Sequence, residues 1–175
     1  MLESEESLSR GTVLVVDDTL ENLDVLDDLL TGHGYEVRRA IDGVMALRAV
    51  AAEPPDLILL DIMMPGMNGY EVCAKLKADS ATWGIPVLFI SALDDAQDKV
   101  RAFETGGVDY IPKPFQAAEV VARVATHLQN ALLQKILEDR GRALEEREQQ
   151  VRQLRQRVKR LEEVLGYYGL DPTSI

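Results

Sequence analysis

Short apolar runs alternate along much of the chain with segments whose apolar residues recur at helical spacing. The first run, 12–16, ends at two aspartates, which predicts a strand buried on both faces. Leucines recur at helical spacing from Leu20 to Leu30 until Gly32, which predicts a helix that ends at the glycine. The same alternation predicts strands at 35–40, 57–60, 86–90 and 108–111, and helices at 44–52, 70–78, 95–104 and from about 116.

Five strands that alternate with helices predict one α/β domain. Such units join parallel strands by right-handed crossovers, so helices cover both faces of the sheet. We expect the flavodoxin-like, doubly wound five-stranded parallel sheet, with strand order 2-1-3-4-5. In that order a site forms beyond the carboxyl ends of strands one and three.

The chain after the last predicted strand carries a heptad pattern instead. One seven-residue repeat is formed by Leu137, Leu144, Val151, Val158 and Leu165, with Leu133, Leu154 and Leu161 at the companion position. These are the a and d positions of a coiled coil. The N-terminal part of the coiled coil should be weakly stable, because Arg140 and Arg147 occupy companion positions and Gly141 lies inside the helix. C-terminal to Leu144 the heptad pattern is more regular. There Arg157 of one chain could form an ion pair with Glu162 of the other in a parallel dimer.

We therefore predict four segments along the chain. These are a disordered N-terminus at 1–10, a globular domain at 11–130, a helical coiled-coil extension at 131–166 and a tail at 167–175. Homodimerisation through the coil is the expected assembly.

Composition narrows the classes of partner and compartment. The formal net charge is -11, and an acidic surface disfavours direct binding to nucleic acid or anionic membranes. The single cysteine, Cys73, cannot form an internal disulfide, and no secretory or membrane-spanning apolar stretch is recognisable. We expect a cytoplasmic protein with no membrane attachment of its own.

Five chemically useful side chains follow strand ends and should meet at one sheet edge. Asp17 and Asp18 follow strand one, Asp61 follows strand three, and Ser91 and Lys113 follow strands four and five. Three converging carboxylates require a cation, and oxygen ligands favour Mg²⁺. Asp18 and Asp61 fit as direct ligands, with Asp17 holding a bound water. Asp61 could then attack a phosphoryl donor, while Lys113 and Ser91 bind the phosphoryl oxygens.

Each of these residues also has an ordinary structural interpretation. Asp17 or Asp18 alone could be a helix N-cap, Lys113 a solvated surface lysine, and Ser91 a hydroxyl that caps the next helix. Cys73 fits a buried helix position. The functional interpretation depends on all the strand-end residues reaching the same edge.

Several motifs together resemble those of the two-component response regulator receiver family. They are Val13 to Asp18, the stretch DIMMPGMNG from Asp61 to Gly69, Ser91-Ala92 and Lys113-Pro114-Phe115, and the resemblance covers roughly residues 11 to 130. It implies that Asp61 is the phosphoacceptor, that the Met63 backbone carbonyl is a further Mg²⁺ ligand, and that a histidine kinase or phosphotransfer protein is the partner. It also implies a switch role for Tyr110, whose ring turns inward as Ser91 moves toward the phosphate, and a cis Lys113-Pro114 bond.

The resemblance predicts a phosphorylation switch rather than an enzyme that turns over a separate substrate. We expect its output to be a change in dimerisation, or in docking through the coil. The leading alternative is a receiver and linker fragment of a larger protein with a separate catalytic output domain, such as a nucleotide cyclase or kinase. Two other hypotheses are a metal-dependent phosphatase acting on small molecules and a vestigial site on a constitutive coiled-coil dimer.

Overall fold

The computed structural model describes residues 10–92 and 96–169. The predicted disordered segment 1–10 and tail 167–175 lie largely outside these residues. The strands are β1 (Thr12–Val16), β2 (Glu36–Ala40), β3 (Leu57–Asp61), β4 (Val87–Ser91) and β5 (Asp109–Pro112). The helices are α1 (Leu20–Thr31), α2 (Gly43–Ala52), α3 (Gly69–Ala78), α4 (Ala96–Glu104) and α5 (Ala117–Tyr167).

The five strands form one parallel sheet in the order β2-β1-β3-β4-β5. This confirms the fold class and strand order predicted from the alternating pattern. The central strands β3 and β4 are buried along their whole length, because helices cover both faces and leave their apolar runs no contact with water. Observed element ends differ from the predicted ones by at most one residue, within the usual fraying of boundaries.

Two hydrophobic cores lie on opposite faces of the sheet. One face is packed by α2, α3 and α4 and includes Phe89, which is fully buried. The other is packed by α1 and the first turns of α5, through residues such as Leu26 and Val124. Cys73 is fully buried in the first core, as predicted, and burial raises the pKa of its thiol to about 11. The thiol is therefore an inert packing group.

Capping explains where two helices begin. Asn68 and Glu71 form a reciprocal capping box at the start of α3. Asp42 accepts a hydrogen bond from the Met45 N–H at the start of α2. Both caps close loops that follow strands at the carboxyl edge of the sheet.

The chain divides into two compact units, Met1–Leu132 and Leu133–Ile175. The first contains the whole sheet and its helices. The second, where it is described, consists mainly of the remaining residues of α5. Most of its large apolar side chains are exposed in the single chain, including Leu144, Leu154 and Leu161, while Leu165 is partly exposed. Over the described residues, none of the helices combines the length and apolar character that crossing a bilayer requires.

Candidate functional site

Three aspartates meet at the carboxyl edge of the sheet, as the strand ends predict. Asp17 follows β1 and Asp61 ends β3, and these two strands are paired neighbours. Asp17, Asp18 and Asp61 each place one carboxylate oxygen within 4.8 Å of the others, and we call them the acidic cluster. Asp17 and Asp61 are 2% and 4% exposed, while Asp18 is exposed to solvent. The cluster thus has a buried floor and an open side.

Lys113 supplies the positive charge of this edge. Its Nζ lies 2.7 Å from Asp17 Oδ2 and 3.3 Å from Asp61 Oδ2. The lysine side chain is 19% exposed, so the three groups interact with limited screening by water. The predicted approach of Lys113 to the cluster is therefore observed, and the interpretation as a solvated surface lysine does not describe it.

Asp61 is held in a setting that disfavours its charge. Burial raises the pKa of its carboxyl; the positive charge of Lys113 opposes that rise, and the charge of Asp17 adds to it. The net shift is upward. A cation bound at this edge would reverse the balance, because it stabilises the ionised forms of all three carboxylates.

The loop after Asp61 is held by tight backbone packing. The Met63 N–H lies 3.3 Å from Asp61 Oδ1, and the Gly69 N–H donates to the Ile62 carbonyl at 2.9 Å. A Cβ on Gly69 would lie 2.4 Å from the Asp61 carbonyl oxygen. Only glycine fits there without displacing the backbone of Asp61. Met63 is 60% exposed.

Ser91 and Tyr110 lie on the paired strands β4 and β5. Ser91 ends β4 and is fully buried, and its carbonyl accepts hydrogen bonds from the Lys113 N–H at 2.8 Å and from the Tyr110 hydroxyl at 3.3 Å. Tyr110 is 5% exposed, so its ring already lies inward. The Lys113-Pro114 peptide bond is cis, as the resemblance implied.

Sequence reasoning missed Asn22. Its amide nitrogen lies 3.1 Å from Asp17 Oδ1 and 3.0 Å from Asp17 Oδ2, while the Thr19 N–H donates to Oδ1 at 2.9 Å. Neither Asp17 nor Asp18 is the N-cap of α1, since that residue is Thr19. The available signal was a polar residue in the first turn of a helix that directly follows two aspartates.

A second polar cluster joins β5 to α5, and it too was missed. Asp109 accepts two hydrogen bonds from Arg123, at 2.7 and 2.8 Å, and lies 2.9 Å from His127 Nε2. Burial alone would raise the pKa of Asp109, but the hydrogen bonds from His127, Arg123 and the Tyr110 N–H, together with the charge of Arg123, outweigh burial and leave the pKa lowered. The observed contact of His127 is therefore with this carboxylate.

The donor set of the acidic cluster fits Mg²⁺. Oxygen atoms bound to one Mg²⁺ ion at 2.0–2.1 Å lie up to about 4 Å apart. The cluster oxygens are within 4.8 Å of one another, so a small closure or one bridging water brings them into range. His and Cys ligands, which would favour Zn²⁺, are not among the three residues of the cluster.

The family model of the response regulator receiver domain matches residues 13–125, which include the whole sheet except its first residue, Thr12. The chain belongs to the response regulator receiver family, whose domains are phosphoacceptors in signalling and not catalytic enzymes. The family is generally Mg²⁺-dependent, in agreement with the acidic cluster.

Curated relatives share this domain but are longer. The chain is 47% identical over 112 residues to the response regulator PleD of Caulobacter vibrioides, a match that covers 64% of this chain and 25% of PleD. It is 45% identical over 119 residues to the DNA-binding response regulator MtrA of Mycobacterium tuberculosis, covering 68% of this chain and 51% of MtrA. The chain thus spans about a quarter to a half of these relatives.

Solved structures give the same result. A putative response regulator from Chloroflexus aurantiacus is 38% identical with a TM-score of 0.66, covering 68% of this chain and 98% of that one. NtrX from Brucella abortus is 30% identical with a TM-score of 0.69, covering 74% of this chain and 29% of NtrX. The likeness lies in the receiver domain, and NtrX is again the longer protein.

Proposed function

We propose that Asp61 is the phosphoacceptor of this receiver and that Mg²⁺ is its cofactor. The observation that carries the proposal is the meeting of three carboxylates with the Lys113 ammonium at one sheet edge. Asp18, Asp61 and the Met63 carbonyl would ligate the ion directly, and Asp17 through a water. Bound there, the ion would neutralise the cluster and the incoming phosphoryl oxygens.

The reaction at Asp61 is a phosphoryl transfer to a carboxylate. An oxygen of Asp61 attacks phosphorus, the bond from phosphorus to the leaving group of the donor breaks, and an aspartyl phosphate forms. Lys113 moves from its carboxylate partners toward the new phosphoryl oxygens, and the Ser91 hydroxyl donates to one of them. Attack of water on the same phosphorus later breaks its bond to the Asp61 oxygen, which releases inorganic phosphate and restores the carboxylate. The donor is a histidine kinase or a phosphotransfer protein.

Incubation with acetyl phosphate tests this chemistry. The intact chain should gain one phosphoryl group in Mg²⁺ and none in EDTA, and Asp61→Asn should remove the gain. Asp28→Asn, at an exposed position of α1, is the matched control and should be modified like the wild type. A gain that persists in EDTA would refute the role of the ion.

Ser91 and Tyr110 are proposed as the switch pair. The hydrogen bond from the Tyr110 hydroxyl to the Ser91 carbonyl links the two residues, so movement of Ser91 toward a phosphoryl group affects the ring. Tyr110 is buried before any phosphorylation. The switch would therefore act by shifting a population that already includes the inward ring. Asp109, the residue before Tyr110, bonds to Arg123 and His127 of α5. It therefore links the switch pair to that helix.

We further propose that residues 11–130 are the receiver and 131–166 a coiled-coil segment that joins two copies of the chain. The support is the exposed apolar seam of the second unit, whose exposed members are Leu133, Leu137, Leu144, Val151, Leu154, Val158 and Leu161. Most helical stability in proteins comes from the packing of an apolar face, so a second copy of the chain would stabilise this helix by covering the seam. Valine at a and leucine at d, as in 151–161, favours two parallel strands.

Light scattering tests the coil and its link to phosphorylation. We expect beryllofluoride with Mg²⁺ to shift the chain toward dimers. Leu161→Glu should reduce the dimer, whereas Gln156→Glu, which adds the same charge outside the seam, should leave it unchanged. A wild-type chain that stays monomeric both with and without beryllofluoride and Mg²⁺ would contradict the proposed output.

An output domain beyond this segment is the second candidate. The relatives favour it, because the chain matches only 25% of PleD and 51% of MtrA. In that case the coil is a signalling linker to a catalytic or other output domain. The full reading frame decides between the two, since the second requires coding sequence for a further domain.

A further inference from the structure

The Asn22 amide lies across both carboxylate oxygens of Asp17. The two distances, 3.1 and 3.0 Å, are nearly equal, so one nitrogen is shared between the oxygens. An ionised carboxylate only accepts hydrogen bonds, so the amide nitrogen, and not the amide oxygen, must face it. Asn22 is half-buried in the first turn of α1, which limits competition from water.

The start of α1 is organised around the same carboxylate. The Thr19 side chain makes no capping hydrogen bond, and the Thr19 N–H donates instead to Asp17 Oδ1 at 2.9 Å. Asn22 donates to the same oxygen and to its partner. Backbone and side chain of one helical turn therefore fix the plane of the Asp17 carboxylate, whose terminal torsion is otherwise broad.

Asn22 and Lys113 both donate hydrogen bonds to Asp17, but they differ in charge and in their other partners. The lysine charge is shared between Asp17 and Asp61, so an anion attached to Asp61 would draw the lysine away. The hydrogen bonds that the described structure assigns to the Asn22 amide nitrogen both go to Asp17. A neutral, dedicated donor can stay in place while Lys113 changes partners.

We propose that Asn22 is a positioning residue of the cation site, which acts by holding the Asp17 carboxylate in the orientation that the ion, or its bound water, requires. The inference rests on the proposed function in that the acidic cluster binds Mg²⁺. Outer hydrogen bonds to groups of a metal site typically change metal affinity by 10–100-fold when removed. The same range is expected for Asn22.

Calorimetric titration of Mg²⁺ into the full chain, without a phosphoryl donor, tests the proposal. Asn22→Leu keeps much of the side-chain volume but removes the donor, and it should weaken Mg²⁺ binding about 10-fold or more. Asn130→Leu makes the same replacement at an exposed position of α5 and should bind like the wild type. Asn22→Ala, which adds no bulk, takes the place of the leucine variant if circular dichroism finds that variant unfolded.

A double-mutant cycle separates positioning from a general effect on the fold. If Asn22 acts through Asp17, Asn22→Leu should weaken Mg²⁺ binding little further in an Asp17→Asn background. Equal losses in both backgrounds, or wild-type affinity in Asn22→Leu, would overturn the positioning role and leave the proposed function standing. Failure of the wild-type chain to bind Mg²⁺ would overturn both.

Discussion

Lys113 Nζ donates to Asp17 Oδ2 at 2.7 Å although 96 positions separate the two residues. The contact exists because β1 and β5 end at the same edge of the sheet, with β3 and β4 between them. Asp17 is buried and Lys113 is largely so, and a buried carboxylate without a partner is costly. The pair therefore belongs to the stability of the domain as well as to its site.

Replacing Lys113 should destabilise the metal-free chain strongly. Lys113→Met leaves Asp17 and Asp61 buried without their cation, and we expect the free energy of unfolding to fall by about 3 kcal/mol in EDTA. Mg²⁺ should restore part of the loss. Urea denaturation with and without Mg²⁺ measures both effects, and Lys75→Met, at an exposed position of α3, is the control. Equal effects of the two substitutions would contradict the assigned role.

Asp61→Asn should stabilise the metal-free chain at neutral pH. Burial raises the pKa of Asp61, opposed by Lys113 and assisted by Asp17, so ionisation costs more in the folded than in the unfolded chain. The variant avoids that cost. Thermal unfolding in EDTA should therefore occur at a higher temperature than in the wild type, and Mg²⁺ should narrow the difference.

The pH dependence of this gain has a definite sign. The cost of ionising Asp61 is fully present above its raised folded pKa and vanishes below the ordinary carboxyl pKa. The advantage of Asp61→Asn should then decline as pH falls through that interval. A variant that melts below the wild type at neutral pH in EDTA would refute the account.

Gly69→Ala should disturb Asp61 through the backbone. The added Cβ would lie 2.4 Å from the Asp61 carbonyl oxygen and 2.8 Å from Ile62 Cα, and neither atom belongs to a flexible side chain. We expect a loss of about 2 kcal/mol in the free energy of unfolding and slower phosphorylation. Gly84→Ala, where a Cβ meets nothing within 4 Å, should be close to neutral in both measurements.

Asp109→Asn should weaken the attachment of β5 to α5. The carboxylate accepts two hydrogen bonds from Arg123 and contacts His127, so we expect a loss of about 1–2 kcal/mol at neutral pH, allowing for partial exposure. Its lowered pKa means that this stability is present above the ordinary carboxyl pKa and is lost as pH falls through the folded value. Urea denaturation over a pH series checks the trend; a difference that grows as pH falls would contradict it.

The sheet and the acidic edge could be predicted because they follow from local patterns. Apolar runs define the strands, and parallel strands bring their ends to one edge, so Asp17, Asp61 and Lys113 had to approach one another once the order 2-1-3-4-5 was inferred. The strand-end positions of these residues carried the prediction. The residue types alone would not have predicted a site, because an aspartate or a lysine commonly has an ordinary structural role.

The contacts that were missed depend on side-chain directions in packed helices. Asn22 reaches Asp17 because α1 turns back toward the end of β1, and Arg123 reaches Asp109 because α5 packs across β5. Neither an apolar run nor a hydrophobic periodicity in the sequence predicts such a side-chain contact. The inward ring of Tyr110 likewise depends on the packing around β5, and sequence supplied only its position.

Mapping the phosphorylated residue in the wild-type chain tests the central claim most directly. The chain is treated with acetyl phosphate and Mg²⁺, the acyl phosphate is trapped by reduction with borohydride, and the resulting peptides are identified by fragmentation in a mass spectrometer. We predict that the reduced residue is Asp61. Modification at Asp17 or Asp18, or at a residue outside the acidic cluster, with Asp61 intact, would contradict the account.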